Sequence, residues 1–570
     1  MLFRSDEDVS LTYSVATSGT LTIIPDGTTA GTYTFTDGSG SFTGAQISPP
    51  ASSTATTFTN LTGTAFSACT GITVTGGAGS GALTLPTDIS TLTAITENGS
   101  VAPTITLNSA VPGSASAAGG LTAAFTTAAA TLELTAAEAL HASNNIGFTT
   151  SGTLKLKWAA GYNSTSGTYT GTTTLQITDG PDANSMDVNL FGTTITSLIF
   201  DVVPSAAQTL TDIPSGTTVT YSASGGVPVT LPAGISYNTA GGGALAITLA
   251  GASSGGARNQ DFTTGAAVTT LTLNLGDGVD ASSSIDVVSS NVLTSLTITG
   301  GAGGLTFADI AAAGTNLATL HLGGVTGAVS SLTLPDSVAT FTGPTAYAAT
   351  IIGASGSGAV AVNFGSGNDE LRTGTGTETF TVDMGTGTSE IYYHLTSGSA
   401  GVMTLTNFTA GTDIIHLKNN VNLKGLVGII KHADVANVRT SAGEVLEDDT
   451  SPTVETIDHT GCSSGTHCDV SGSGVNAIYL TGTTAAFGTT PPFVDMKIGT
   501  GPTIDAALVP VIYPITGGHT MIGLIRYAVD GDGIPDTYED IIQVTSVTAA
   551  DFFAGMDDSL GVYGDVIGGE

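Results

Sequence analysis

FGSGNDELR at Phe364–Arg372 is followed without a break by TGTGTETFT at Thr373–Thr381. Both nine-residue units read Gly-x-Gly-x-acid-x-apolar in one register, so Asp369 and Glu378 fall nine residues apart. In parallel β-helices a nonapeptide of this kind binds Ca²⁺ through its glycine turn and its acid. Calcium takes carboxylate and carbonyl oxygens, and a glycine turn brings several carbonyls close to one carboxylate. The expected ligands are therefore Asp369 and Glu378 on adjacent coils, with carbonyls from the turns at Gly365, Gly367, Gly374 and Gly376. Leu371 and Phe380, two positions past the acids, are expected to point inward.

Composition bounds the class. The 570 residues exceed one ordinary core, so several domains or an extended stack of repeats is expected. Glycine supplies 78 residues and hydrophobic residues 40%, which argues against disorder. Thr, Val and Ile between Gly-rich turns read as many short strands. Eleven Lys plus Arg against 46 Asp plus Glu give a formal charge of −35, with no basic side chain between Arg4 and Lys155. Such a surface repels nucleic acid and anionic lipid and calls for divalent counter-ions. No stretch approaches twenty apolar residues, so no membrane insertion is expected. The start, MLFRSDEDVS, has no apolar leader core and turns acidic at once. Three cysteines exclude a disulfide scaffold; Cys462 and Cys468 read as one local disulfide, with Cys69 free.

Four regions follow from the pattern. Residues 1–150 form a Thr/Ala/Ser/Gly-rich, β-rich N-terminal region with one helix, N-capped by Thr135 with Glu138 three residues on. Residues 151–350 carry a repeat: TLQITDGPDANS and TLNLGDGVDASS align at an offset of 98, pairing Leu175 with Leu273, Asp179 with Asp277 and Asp182 with Asp280. These Asp-Gly-x-Asp turns suit calcium and suit an ordinary turn equally. Leu273, Leu296, Leu320 and Leu332 then recur at 23, 24 and 12 residues, as coils of a parallel β-solenoid would; a β-sandwich of short strands is the alternative. Residues 351–420 hold a short calcium β-roll. Residues 421–570 read as a separate β-rich module, closing with a helix at Ala549–Met556. His141 is expected on a helix surface and His321 as a structural residue in an apolar strand.

A second acidic cluster lies at Asp530, Asp532, Asp536 and Glu539. Read as an EF-type loop, these take positions 3, 5, 9 and 12, with Gly533 at the sharp turn and Ile534 offering its carbonyl; the competing reading is a polar hairpin tip. Catalytic patterns are nearly absent. GCSSG at Gly461–Gly465 matches Gly-x-Ser-x-Gly but lacks the strand-to-helix context that exposes such a serine. No carboxylate pair stands out for glycoside hydrolysis, and one Trp poorly supplies a sugar-stacking cleft. The chain does not read as an enzyme.

FGSGNDELRTGTGTETFTVD, the following LTNFTAGTDIIHL, and the ending GLIRYAVDGDGIPDTYEDIIQVTSVTAADF together resemble the calcium-binding repeats-in-toxin (RTX) superfamily, specifically its bacterial surface-layer and adhesin members. In that family a Phe-x-x-Gly-x-Asp-x-Ile-x-Leu stretch follows the roll, matched here by Phe408, Gly411, Asp413, Ile415 and Leu417. The resemblance covers 350–420 most closely, then 470–555. It implies type I export with an uncleaved C-terminal signal and a cell-surface or extracellular location. The resulting expectation is an all-β parallel β-helix that self-assembles, with Ca²⁺, into a surface layer, sheet or filament. The alternative is a secreted adhesin that recognises a host surface or cell-surface polysaccharide.

Overall fold

Small polar residues alternate with Leu, Ile and Val along most of the chain, a period of two that gives each strand one apolar and one polar face. In the computed structural model of the chain this alternation builds an all-β parallel β-helix. The structure describes, with short breaks, residues 70–74, 92–98, 104–107, 120–134, 141–157, 167–178, 185–204, 208–222, 235–250, 262–276, 285–287, 292–310, 316–393, 401–416, 512–523 and 540–552; elsewhere it describes the backbone of strands. The chain divides into two units, Met1–Leu293 and Thr294–Glu570. Among the described residues no helix is long and apolar enough to cross a membrane.

In the first unit Ile105, Leu132, Leu154, Leu175, Leu198, Val219, Ile247 and Leu273 stand at one register position on successive parallel strands. All are buried. Thr104, Thr131, Thr153, Thr174, Ser197 and Thr218 form the neighbouring column and face outward, half-exposed. Leu175 and Leu273 share the inner column four coils apart, so the sequence offset of 98 is four turns of the solenoid. The stack also begins earlier than residue 151. The strands Gly19–Ile23, Phe42–Ile47, Gly71–Val74, Ala94–Glu97 and Thr122–Phe125 already pair in parallel, one on the next. Thr and Ala hide this pattern in sequence, because their small side chains give weak contrast between inward and outward positions.

Buried polar groups are placed where coils need acceptors. Glu97 is fully buried, and its Oε2 accepts the Thr126 and Thr127 amides of the next coil, both at 3.0 Å. Asn144 Oδ1 accepts the Leu121 amide at 2.9 Å. Across the core, the strands Thr217–Ser222 and Ser236–Thr239 belong to opposite sheets. Their Tyr221 and Tyr237 hydroxyls share one hydrogen bond of 2.9 Å, and burial pushes both phenols well above their ordinary range.

In the second unit Leu296, Leu320, Phe341, Val362, Val382 and Leu405 make one inner column. Leu332, Ile351, Leu371, Ile391 and Ile415 make the facing one on the other sheet. Residues 351–419 are thus further coils of the same stack. Two strands of the C-terminal stretch, Pro535–Val544 and Leu560–Tyr563, join this stack. Val544 pairs in parallel with Leu405 and Leu560 with Ile415, so the last strands supply the next coil. Thr545 donates from its amide (2.8 Å) and hydroxyl (3.0 Å) to the Leu405 carbonyl, 140 residues away. The strands Ala507–Ile515, His519–Tyr527 and Pro535–Val544 lead into that coil as an antiparallel meander.

The expected C-terminal helix is present as Ala549–Ala554. Thr548 caps it by accepting the Asp551 amide (3.2 Å) and donating to Asp551 Oδ2 (2.6 Å). Phe552 packs on Phe408, ring centroids 5.6 Å apart. His321 sits on an apolar strand but faces outward, exposed, between buried Leu320 and Leu322. His141 accepts the Ser143 amide through Nδ1 in a turn (3.1 Å). The helix expected after Thr135, Cys69 and the Cys462–Cys468 loop lie outside the described residues.

The tyrosine pair predicts a mutant cycle. Tyr221→Phe or Tyr237→Phe alone should cost about 1–3 kcal/mol, because each strands a buried hydroxyl, while the double variant should recover most of the loss. Equilibrium unfolding of the four chains measures it; additive losses would contradict the pairing.

Candidate metal centre

Asp369 precedes the strand Glu370–Arg372, and Glu378 precedes the strand Thr379–Asp383. These two strands belong to opposite sheets. Nine residues therefore carry the chain across half a coil, and the two acids do not stack on adjacent coils as the sequence spacing implied. Leu371 pairs with Ile351 and Ile391, and Phe380 with Val360, so neighbours in the stack stand about twenty residues apart. Leu371 and Phe380 do point inward, both buried.

The Asp369 turn is built from backbone. Asp369 is 1% exposed; its Oδ1 accepts the Ala349 amide at 2.8 Å and its carbonyl accepts the Glu390 amide at 2.8 Å. Oδ2 is buried without a hydrogen-bond partner. Burial pushes the carboxyl up to about 6, against the opposing pull of the Ala349 and Gly365 amides. Asp413 repeats the device two coils on: Oδ1 accepts the Ser389 amide (2.9 Å), Oδ2 accepts the Thr409 amide (2.7 Å), and burial raises its pKa. With both oxygens engaged, Asp413 is a turn brace.

Glycine is required here by close stacking. A Cβ on Gly365 would lie 2.2 Å from the Pro344 carbonyl oxygen, one on Gly367 2.4 Å from that of Tyr347, and one on Gly385 1.8 Å from that of Gly365. The Gly365 carbonyl, an expected ligand, accepts the Thr386 amide at 3.0 Å. Gly374 and Gly376 lie in the turn leading to Glu378, where the Gly374 amide lies 2.9 Å from the Cβ position of Gly353.

The Glu378 turn differs. Glu378 is 7% exposed, and its Oε2 is buried without a partner. Its carboxyl is pushed up to about 7, by burial first and then by the negative charge of Asp336, against the Gly356 amide that favours the charged form. Asp336 is exposed and lies ahead of the strand Thr340–Thr342, two coils before Glu378. Asp336, in LPDS, stands outside the nonapeptide register. Two coil lengths back from Glu378 is the signal that finds it.

The remaining candidates are distributed elsewhere. Asp179, Asp182, Asp277 and Asp280 lie outside the described residues. Asp530, Asp532 and Ile534 also lie outside them. Asp536 and Glu539 fall on the strand Pro535–Val544, one arm of an antiparallel pair with His519–Tyr527. The backbone at these two positions is extended strand. Among the described residues no group of three or more His, Cys, Asp or Glu side chains converges. No protein-family model, curated protein or solved structure matches this chain.

The donor set decides the fit to Ca²⁺. All available donors are oxygens, as calcium requires, and one oxygen each of Asp369 and Glu378 is free of hydrogen bonds. One oxygen of each of these acids would be open to such an ion, whereas both Asp413 oxygens already accept amides.

A pH dependence follows from Asp369. Its carboxyl titrates near 6 folded against an ordinary 3.8, so it contributes stability below pH 3.8 that is lost as pH rises through 6. In chelator, Asp369→Asn should therefore gain on wild type by an order of 2 kcal/mol between pH 4 and pH 7. Denaturant unfolding at both pH values checks this; an unchanged difference would contradict it.

Proposed function

We propose that this chain is an extracellular, calcium-dependent structural protein that self-assembles into a surface layer, sheet or filament. The observation that carries the reading is the pair of carboxylate oxygens, Asp369 Oδ2 and Glu378 Oε2, buried without partners in a chain of formal charge −35. Buried charge without a counter-charge is costly, and a divalent cation at these turns would offset it. Copies of so acidic a chain repel one another until cations neutralise or bridge them. Coils whose outer columns carry short hydroxyl side chains offer repeated, flat surfaces for lateral packing. The likeness of residues 350–420 to RTX surface-layer proteins supports the same reading, with export by type I machinery. The role is architectural rather than catalytic, and the partner is the chain itself.

Electron microscopy of the purified full chain tests this. Regular arrays should form on adding Ca²⁺ and disperse in chelator. Dispersed particles under both conditions, or arrays that ignore chelator, would overturn it.

A further inference from the structure

We propose that copies of this chain join by exchanging the last coil of the second unit. Pro535–Val544 and Leu560–Tyr563 of one copy then pair with Met403–Thr406 and Ile414–Asn419 of a second copy. The proposal rests on the self-assembly reading above and names the surface through which copies meet. Within one chain, Ile542, Gln543 and Val544 pair with Met403, Thr404 and Leu405. Leu560, Gly561, Val562 and Tyr563 pair with Ile415, His416, Leu417 and Lys418. Thr545 donates twice to the Leu405 carbonyl, and Phe552 packs on Phe408. These contacts do not depend on how the chain runs between the two coils, so a second copy offers the same ones.

The connection favours exchange. Short turns, 384–389 and 407–413, join the strands before this coil, whereas residues 420–534 separate Asn419 from Pro535. A short turn holds the next strand at an effective concentration that no second molecule matches, and a connection this long gives up much of that advantage. The coil also travels with its own support. Pro535–Val544 is hydrogen-bonded to His519–Tyr527, and that strand in turn to Ala507–Ile515. Charge points the same way. The register pairs of this seam contain no Asp or Glu and include His416 and Lys418. The seams just before it carry Asp383 and Glu390. A strand from another copy of a chain of formal charge −35 is therefore received without apposed carboxylates, on the buried columns of Leu405 and Ile415. A copy that gives its coil to one neighbour and takes one from another extends head to tail, the open-ended route to a filament.

Thr404 and Gln543 are register partners on neighbouring parallel strands, a spacing a disulfide spans. Both side chains are half-exposed, so changing them leaves the buried columns intact. The test uses the full-length double variant T404C/Q543C, prepared with and without heavy-nitrogen label and kept reduced. The two preparations are mixed in equal amounts, assembled with calcium chloride and then oxidised mildly. Mass spectrometry of the peptides linked between positions 404 and 543 reads whether the two halves come from one chain. Exchange predicts that about half of the links from assembled material join a labelled to an unlabelled peptide, and that dilute, dispersed chain gives none of these. Same-label links alone in assembled material would overturn the proposal, as would the absence of any link there or chains that stay monomeric at every concentration. Mixed links in arrays that form without calcium would leave the exchange standing and overturn the calcium requirement. Same-label links alone in calcium-dependent arrays would do the reverse.

Discussion

Register-locked stacking of parallel coils is the constraint on which everything else here depends. Each strand hydrogen-bonds the equivalent strand of the next coil, so a residue's neighbours are the residues about one coil earlier and later. Leu154, Leu175 and Leu198 touch because they share a register position, not because they are close in sequence. A slip of one residue would turn every inner side chain outward, and each buried Leu or Ile contributes about 1.5–3 kcal/mol to prevent it. The columns are therefore both the core and the ruler of the fold.

The turns must keep the same rise as the strands, and this explains their chemistry. Gly365 and Gly385 stack with backbone against backbone, leaving no space for a side chain. Where the ladder of amides and carbonyls breaks, a buried acid or amide side chain takes the orphaned donor: Glu97, Asn144, Asp369 and Asp413 all accept amides from a neighbouring coil. Acid at the strand entry is thus first an element of the backbone ladder. Only where an oxygen is left over, as at Asp369 and Glu378, does it become available to an ion.

Much of this was legible in the sequence. The step of 24 from Leu296 to Leu320 is one coil, and the step of 12 from Leu320 to Leu332 is the crossing to the opposite sheet. The Gly-x-Gly-acid units located the turns, and Leu371 and Phe380 are inside as alternation requires. The nine-residue spacing misled about which acids meet, because nine residues span half a coil. The return of Val544 to Leu405 was not legible, since strand pairing across a long excursion leaves no local periodicity.

The account's central claim is that buried acid at these turns is answered by calcium. Long-wavelength X-ray diffraction from crystals grown in calcium tests it most directly, because the ion's anomalous signal locates it without reference to the surrounding protein. The account predicts an anomalous peak within calcium–oxygen bonding distance of Glu378 Oε2. A well-ordered Glu378 turn with no such peak would contradict it.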